Sequence, residues 1–146
     1  MITVILSGHG GFASGIDAAI RQVIGEQTQF AALDFPAEMS TAQLEQAMRQ
    51  AIANHDSGEG IVFLTDLLGG TPFRTAALLS QERSDIEVIT GTNLQMVAEM
   101  LLERDELTLT EFRCQALQCG HRGITSLADE LAPNTHPAEV VAEDGI

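Results

Sequence analysis

Two short glycine-rich segments hold the side chains best suited to chemistry. The first is Ser7-Gly8-His9-Gly10-Gly11, directly after the apolar run Ile2 to Leu6. The second is Asp66-Leu67-Leu68-Gly69-Gly70-Thr71-Pro72-Phe73, directly after the apolar run that ends near Thr65. A neutral imidazole is a nucleophile at whichever ring nitrogen lacks the proton. A carboxylate at Asp66 that accepts one ring N–H of His9 would fix the tautomer and aim the other nitrogen outward. The N–H groups around Gly70 and Thr71, at the start of a helix, make an anion site strengthened by the helix dipole. The Thr71 hydroxyl either caps that helix or donates to a phosphate. Arg74 either steers an anion or is an ordinary solvated helix residue. Gly8, Gly10 and Gly11 leave clearance around His9 for an approaching molecule. Together these parts describe a histidine that accepts a phosphoryl group and passes it on. Taken singly, each has a plainer reading: a tight turn and helix cap at Gly69 to Pro72, a strand-end carboxylate at Asp66, an incidental loop histidine at His9.

The combined reading requires the two segments to meet, and the alternation of strand and helix patterns provides for that. Apolar runs predict strands at Ile2 to Leu6, Phe30 to Phe35, Gly60 to Thr65 and Ile86 to Thr90. Between them lie stripes at helical spacing. The first is Ile16, Ala19, Ile20, Val23 and Ile24, opened by Ser14 with Asp17 in a capping-box arrangement. The second is Leu44, Ala47, Met48, Ala51 and Ile52, opened by Ser40 and Thr41. A third helix starts with Thr71 as N-cap and Pro72 at the first helical position, and runs to about Gln81. Asn93 caps a fourth, with Met96, Val97, Met100 and Leu101 facing inward. Glu111 to Leu131 reads as further helix interrupted at Gly120 and Gly123, with room for an edge strand.

This βαβαβαβ order predicts a three-layer α/β domain, its mainly parallel sheet covered by helices on both faces. A flavodoxin-like order, 2-1-3-4, sets strands one and three side by side at the topological switch point. The two glycine-rich loops then face each other across one crevice. The domain is expected to span residues 1–131, followed by a polar, proline-punctuated tail at 132–146.

Bulk properties narrow the partners. The chain has 146 residues, 45% of them apolar, and a net charge of −14. All seven basic residues are arginine. Such a chain should repel nucleic acid and anionic membranes, whose phosphates need clustered positive charge. It has neither a signal-peptide pattern nor a run approaching the roughly 20 apolar residues of a membrane span, so a cytosolic location is expected. Cys114 and Cys119 fall on different helix faces and read as free structural thiols. With His121 they lack the close pair and the fourth ligand of a metal site. His55 falls in a polar turn, His121 between Gly120 and Arg122, and His136 in the tail.

Three other readings compete. Gly8-x-Gly10-x-x-Ala13, with Asp34 ending the second strand, fits a loose dinucleotide-binding fingerprint. Against it, no second substrate domain follows and His9 crowds the turn. A histidine phosphatase would need an arginine before its nucleophile, and Gly8 stands there. A small sensor domain would form no stable phosphorylated state.

The two loops, with Val62-Phe63-Leu64-Thr65 before the second and the later segment Glu87-Val88-Ile89-Thr90-Gly91-Thr92-Asn93-Leu94, carry a resemblance. From Met1 to about Leu131 the chain resembles the IIA component of the mannose family of the bacterial sugar phosphotransferase system. Overall it is similar to the branch serving N-acetylgalactosamine and galactosamine. The resemblance implies that His9 is the phosphorylated histidine, modified at Nε2. It implies that Asp66 orients the ring and that Thr71 is the small hydroxyl residue beside the phosphate. The donor would be the phosphocarrier HPr, charged from phosphoenolpyruvate by Enzyme I. The acceptor would be a histidine on the IIB component, which phosphorylates sugar entering through the membrane proteins IIC and IID. No cofactor is implied. Family members are homodimers that exchange a sheet-edge strand near the C-terminus. Arg74 occupies a position not fixed as arginine in the family. No IIB-like domain follows the tail, so a free-standing IIA is expected.

Overall fold

The computed structural model describes residues 1–133. Four strands form one all-parallel sheet: β1 (Thr3–His9), β2 (Phe30–Phe35), β3 (Ile61–Thr65) and β4 (Ile86–Ile89), in the order β2-β1-β3-β4. This is the predicted architecture. Parallel neighbours need long crossovers, and helices α1 (Phe12–Ile24), α2 (Thr41–His55) and α3 (Thr71–Ser80) supply them. Beyond β4 come α4 (Leu94–Glu103), a single 3₁₀ turn (Arg104–Glu106), α5 (Leu109–Arg122) and the short α6 (Leu127–Glu130).

The alternation along each strand divides the core into two layers. Val4, Leu6, Val62, Leu64 and Ile89 pack under α1, α4 and α5, with Ile20, Val97, Met100, Leu101 and Phe112 among the buried contacts. Ile5, Ile61, Phe63 and Ile86 face α2 and α3, meeting Leu44, Met48, Ala76 and Leu79. Every residue of β3 is buried, as its uninterrupted apolar run requires.

Several local expectations need correction. Helix α1 starts at Phe12, two residues before Ser14, and Gly11 at its N-cap has no side chain to offer. The cap comes from another element: the Asp34 carboxylate, near the end of β2, accepts the Ser14 N–H at 2.9 Å. Asp17 pairs with Arg21 instead. That bond ties Asp34, the acid of the dinucleotide reading, to a helix end. Gly120 does not interrupt α5. It is buried within the helix, where an added Cβ would lie 2.6 Å from Met96 Cε, so its lack of a side chain lets α5 approach α4. Gly123 does end the helix. The region expected to leave room for an edge strand is helical wherever it is regular up to residue 131. The tail expected at 132–146 lies outside the described residues from 134 onward, as does His136.

Arg104 was not singled out by the sequence, yet it ties together the end of the sheet opposite the two glycine-rich loops. It is 1% exposed. Its guanidinium donates to the Ile2 carbonyl at 3.1 Å, the Gln29 carbonyl at 2.8 Å and the Thr28 carbonyl. These carbonyls flank the starts of β1 and β2, so one side chain joins both strands to the α4–α5 layer. Burial pulls its pKa below the ordinary arginine value, opposed by nearby Asp105. Arg104→Met keeps much of the volume but strands buried acceptors. It should cost about 2–4 kcal/mol in urea unfolding, and an unchanged midpoint would show that the carbonyls find other donors.

Candidate functional site

Register brings the two loops together. Strands β1 and β3 pair with Ser7 opposite Thr65, so their ladder ends just before Gly8 and Asp66, which lie side by side. β1 continues to His9, which pairs with Phe35 on the other side. Asp66 turns back toward it. One carboxylate oxygen, Oδ2, accepts the His9 backbone N–H at 2.9 Å and lies 2.8 Å from His9 Nδ1. An ionised carboxylate only accepts, so the proton of this bond resides on Nδ1, and in the neutral ring Nε2 carries the lone pair. Two donors on one oxygen fix both the backbone and the ring of His9.

Exposure separates the two roles. The His9 side chain is 44% accessible and the Asp66 side chain 14%. The imidazole is open and the carboxylate that orients it is shielded. Burial pushes the Asp66 carboxyl upward, but the His9 backbone N–H and ring outweigh that and hold it below its ordinary value. It is therefore ionised at neutral pH. The Phe35 and His9 rings meet in a T-shaped contact, 5.7 Å between centroids, which braces the imidazole on the β2 side.

Gly70 abuts the ring on the α3 side. A Cβ there would lie 2.8 Å from His9 Cε1 and 3.5 Å from Nε2. The first turn of α3 therefore sits next to the free nitrogen. The sequence-based assignment within this turn needs adjustment. Gly70, not Thr71, is the N-cap; Thr71 is the first helical residue and Pro72 the second, and no side chain caps the helix. The Gly70 N–H, expected to face an anion, donates to the Leu67 carbonyl at 3.0 Å. The N–H groups left by helix geometry are those of Thr71 and Phe73, since Pro72 has none. Gly69 holds φ at +78°, a backbone turn that favours glycine.

The remaining glycines also differ in purpose. Gly10, at φ +55°, has nothing within 4 Å of a would-be Cβ and does leave open space beside His9. Gly8 does not. It is buried, and a Cβ there would come within 2.5 Å of the Phe12 ring, so it serves the close packing of α1 on β1. Arg74 is exposed in the first turn of α3, with no ion-pair partner among the described residues. Leu67 and Leu68, at 58% and 74% exposure, form an apolar tip beside Asp66 that sequence reasoning passed over.

The other candidates lie elsewhere. His55 ends α2, its carbonyl taken up by Thr3 and Gln29. His121 is exposed on α5. Cys114 is exposed and Cys119 buried, both free, and burial pushes the Cys119 thiol up to about 11. Among the described residues, no cluster of three His, Cys, Asp or Glu side chains could hold a metal ion. Nor is any helix there long and apolar enough to cross a membrane.

Fold and site thus define a parallel α/β protein that presents one oriented imidazole at the carboxyl edge of its sheet, next to an uncapped helix N-terminus. Comparison with known proteins carries this to a family. The family model EIIA-man, described as the PTS system fructose IIA component, matches residues 3–117. The chain is 35% identical over 134 residues to YadI of Escherichia coli (strain K12), named for a phosphotransferase enzyme IIA component, and covers 92% of each chain. It is 29% identical to the mannose-specific EIIAB component of the same organism, spanning 97% of this chain but 44% of that protein. Among solved structures, phosphotransferase system component EIIA from Streptococcus agalactiae superposes with a TM-score of 0.82 at 33% identity, covering 88% of this chain and 98% of that one. The chain belongs to the mannose-family IIA components of the sugar phosphotransferase system.

The contact between Gly70 and His9 gives a direct test of the site. Gly70 has an ordinary negative φ, so alanine suits its dihedrals, and its Cβ would press on the Leu67 carbonyl at 3.2 Å less closely than on the His9 ring. Gly70→Ala should fold with near-wild-type stability but displace the imidazole, moving the His9 ring resonances in NMR spectra. Unmoved resonances would mean that the ring does not rest on this turn.

Proposed function

We propose that His9 carries a phosphoryl group at Nε2, accepted from phospho-HPr and passed to a histidine of a IIB component. The observation that supports this best is the bond from His9 Nδ1 to Asp66, which leaves Nε2 as the open nucleophile. The Nε2 lone pair attacks the donor's phosphorus. The new N–P bond forms as the donor's N–P bond breaks, and the donor imidazole leaves with its bonding pair. The proton on Nδ1 stays in place, and the Asp66 carboxylate offsets the positive charge that develops on the ring. Transfer to IIB repeats the step with His9 as the leaving group.

The phosphoryl oxygens would meet the N–H groups of Thr71 and Phe73 and the Thr71 hydroxyl, at the positive end of α3. Arg74 is assigned to the same anion or to an acidic side chain of a partner. HPr and IIB visit in turn, so His9 must stay open, and Leu67 and Leu68 give each visitor an apolar contact. IIC and IID, which admit the sugar, are reached only through IIB. The substrate branch proposed from overall likeness is that of N-acetylgalactosamine and galactosamine.

We also assign the chain to a homodimer. Ile124, Leu127 and Leu131, each more than 70% exposed, crowd one C-terminal stretch and favour burial against a second copy. Light scattering should return twice the 15.6 kDa chain mass; a monomer at micromolar concentration would remove this assignment.

Phosphoryl transfer is tested by mixing the protein with phosphoenolpyruvate, Enzyme I and HPr. An acid-labile, alkali-stable phosphate should appear on the wild type and be absent from His9→Ala. Full labelling of His9→Ala would overturn the proposal. In the same assay Asp66→Asn should remain folded and transfer roughly ten- to a hundredfold more slowly, the scale set by one hydrogen bond to a charged group. Arg74→Ala should slow transfer while leaving unfolding unchanged; an unaltered rate would mark it as a solvated helix residue.

A further inference from the structure

Asp66 must satisfy two donors of His9 with one oxygen, so its own backbone has to be held. The β1 side of its strand is paired as far as Ser7↔Thr65, but the β4 side is not. The ladder between β3 and β4 runs from Ile61↔Ile86 to Leu64↔Ile89 and stops there. The carbonyl of Thr65, the last residue of β3, would therefore face the β4 side without a strand partner, one residue before the carboxylate that orients the imidazole.

The loop after β4 fills that place. Gly91, at φ +71°, reverses the chain so that Thr92 returns over the end of β3. Both Thr92 donors then converge on the Thr65 carbonyl: its backbone N–H at 3.2 Å and its Oγ1 at 2.7 Å. Thr65 answers with its own hydroxyl, which donates to the Ile89 carbonyl at 3.0 Å. Thr65 is fully buried and Thr92 is 8% exposed, so water does not compete for these bonds. The next residue, Asn93, anchors the loop. Its side chain accepts the Met96 N–H at 2.9 Å, capping α4, and donates to the Gly120 carbonyl of α5 at 2.9 Å.

The Thr65 carbonyl and the Asp66 N–H belong to one planar peptide unit. Fixing that oxygen fixes the plane from which the Asp66 side chain departs. We propose that Thr92 is a positioning residue for phosphoryl transfer, setting the Asp66 carboxylate so that it holds His9 through both the backbone N–H and Nδ1. The proposal rests on the phosphoryl-carrier reading of His9. It adds to that reading a control residue from a loop that touches neither His9 nor Asp66 through any of the bonds described.

The test uses the full chain. Thr92→Val keeps the shape and the backbone N–H but removes the hydroxyl donor, and Thr92→Ser restores it. Thr92→Val should transfer phosphate from phospho-HPr roughly three- to tenfold more slowly, the scale of one buried neutral hydrogen bond, and Thr92→Ser should return to near the wild-type rate. Because the effect runs through the carboxylate, Thr92→Val added to Asp66→Asn should slow transfer little further. A second readout does not depend on transfer. The His9 Hδ1 proton, held by Asp66 in the wild type, should broaden or exchange faster in Thr92→Val. Thr92→Ala serves as a second hydroxyl-free variant should valine unfold the domain. Two results would overturn the proposal: an unchanged rate and Hδ1 signal in the hydroxyl-free variant, or a loss that multiplies in full with that of Asp66→Asn. Wild-type protein that is never phosphorylated at His9 would instead defeat the carrier reading, and the Hδ1 comparison would still decide whether Thr92 positions Asp66.

Discussion

One carboxylate oxygen holding two donors of one histidine is the constraint on which the site depends. Neither His9 nor Asp66 meets the other through local sequence, since 57 residues separate them. They meet because β1 and β3 are parallel neighbours, and such neighbours end at the same edge of the sheet. A shift of two residues in this pairing would move the carboxylate by nearly 7 Å and lose both bonds. A shift of one would reverse the faces of Val62 and Phe63, exchanging two buried cores. The apolar alternation that assigns Phe63 to α2 and α3, and Val62 to α1, α4 and α5, therefore also fixes the geometry of the imidazole.

The two helix N-termini at this edge are treated in opposite ways. Helix α1 has no cap of its own but receives the Asp34 carboxylate from β2. Helix α3 has an extended glycine at its N-cap and no side-chain cap at all. An uncapped first turn forgoes about 1 kcal/mol of helix stabilisation. Burial of Pro72, Thr75, Ala76 and Leu79 outweighs that loss and leaves the first turn of α3 without a side-chain cap beside the imidazole. Packing secures the helix, and its N-terminus remains available to an anion.

The strands, their order and the pairing of His9 with Asp66 were legible because each leaves a continuous signal. Apolar runs mark buried strands, and glycine-rich segments right after two of them mark loops at the switch point. What escaped was interaction across elements. Ser14 and Asp17 match a local capping box, but Asp34 competes from twenty residues away and wins the helix end. Gly8 resembles Gly10 in sequence; only the position of Phe12 shows that one is for packing and the other for space. Arg104 and Thr92 lie in ordinary-looking segments, and their carbonyl partners carry no side-chain signature. The Gly70 N–H looked free because its partner, the Leu67 carbonyl, is likewise backbone. A capping motif at Ser40 with Gln43 is, by contrast, wholly local, and the helix start read from Ser40 and Thr41 stands.

A carrier differs from a phosphate-binding protein in needing to let go. In the carrier reading, the anion beside His9 is met by two backbone N–H groups, a hydroxyl and a single nearby arginine. A helix end supplies only about half a unit charge, enough to orient a phosphoryl group without trapping it. A cluster of arginines would deepen that well and slow the onward step. The chain's composition follows the same logic. Arg21, Arg49, Arg83, Arg113 and Arg122 pair with carboxylates, and Arg104 is buried against carbonyls. Little positive charge is left near the imidazole. In the carrier reading, the surplus of acid repels free phosphate from a site that receives its phosphoryl group from a docked protein, whose own basic surface can offset the field.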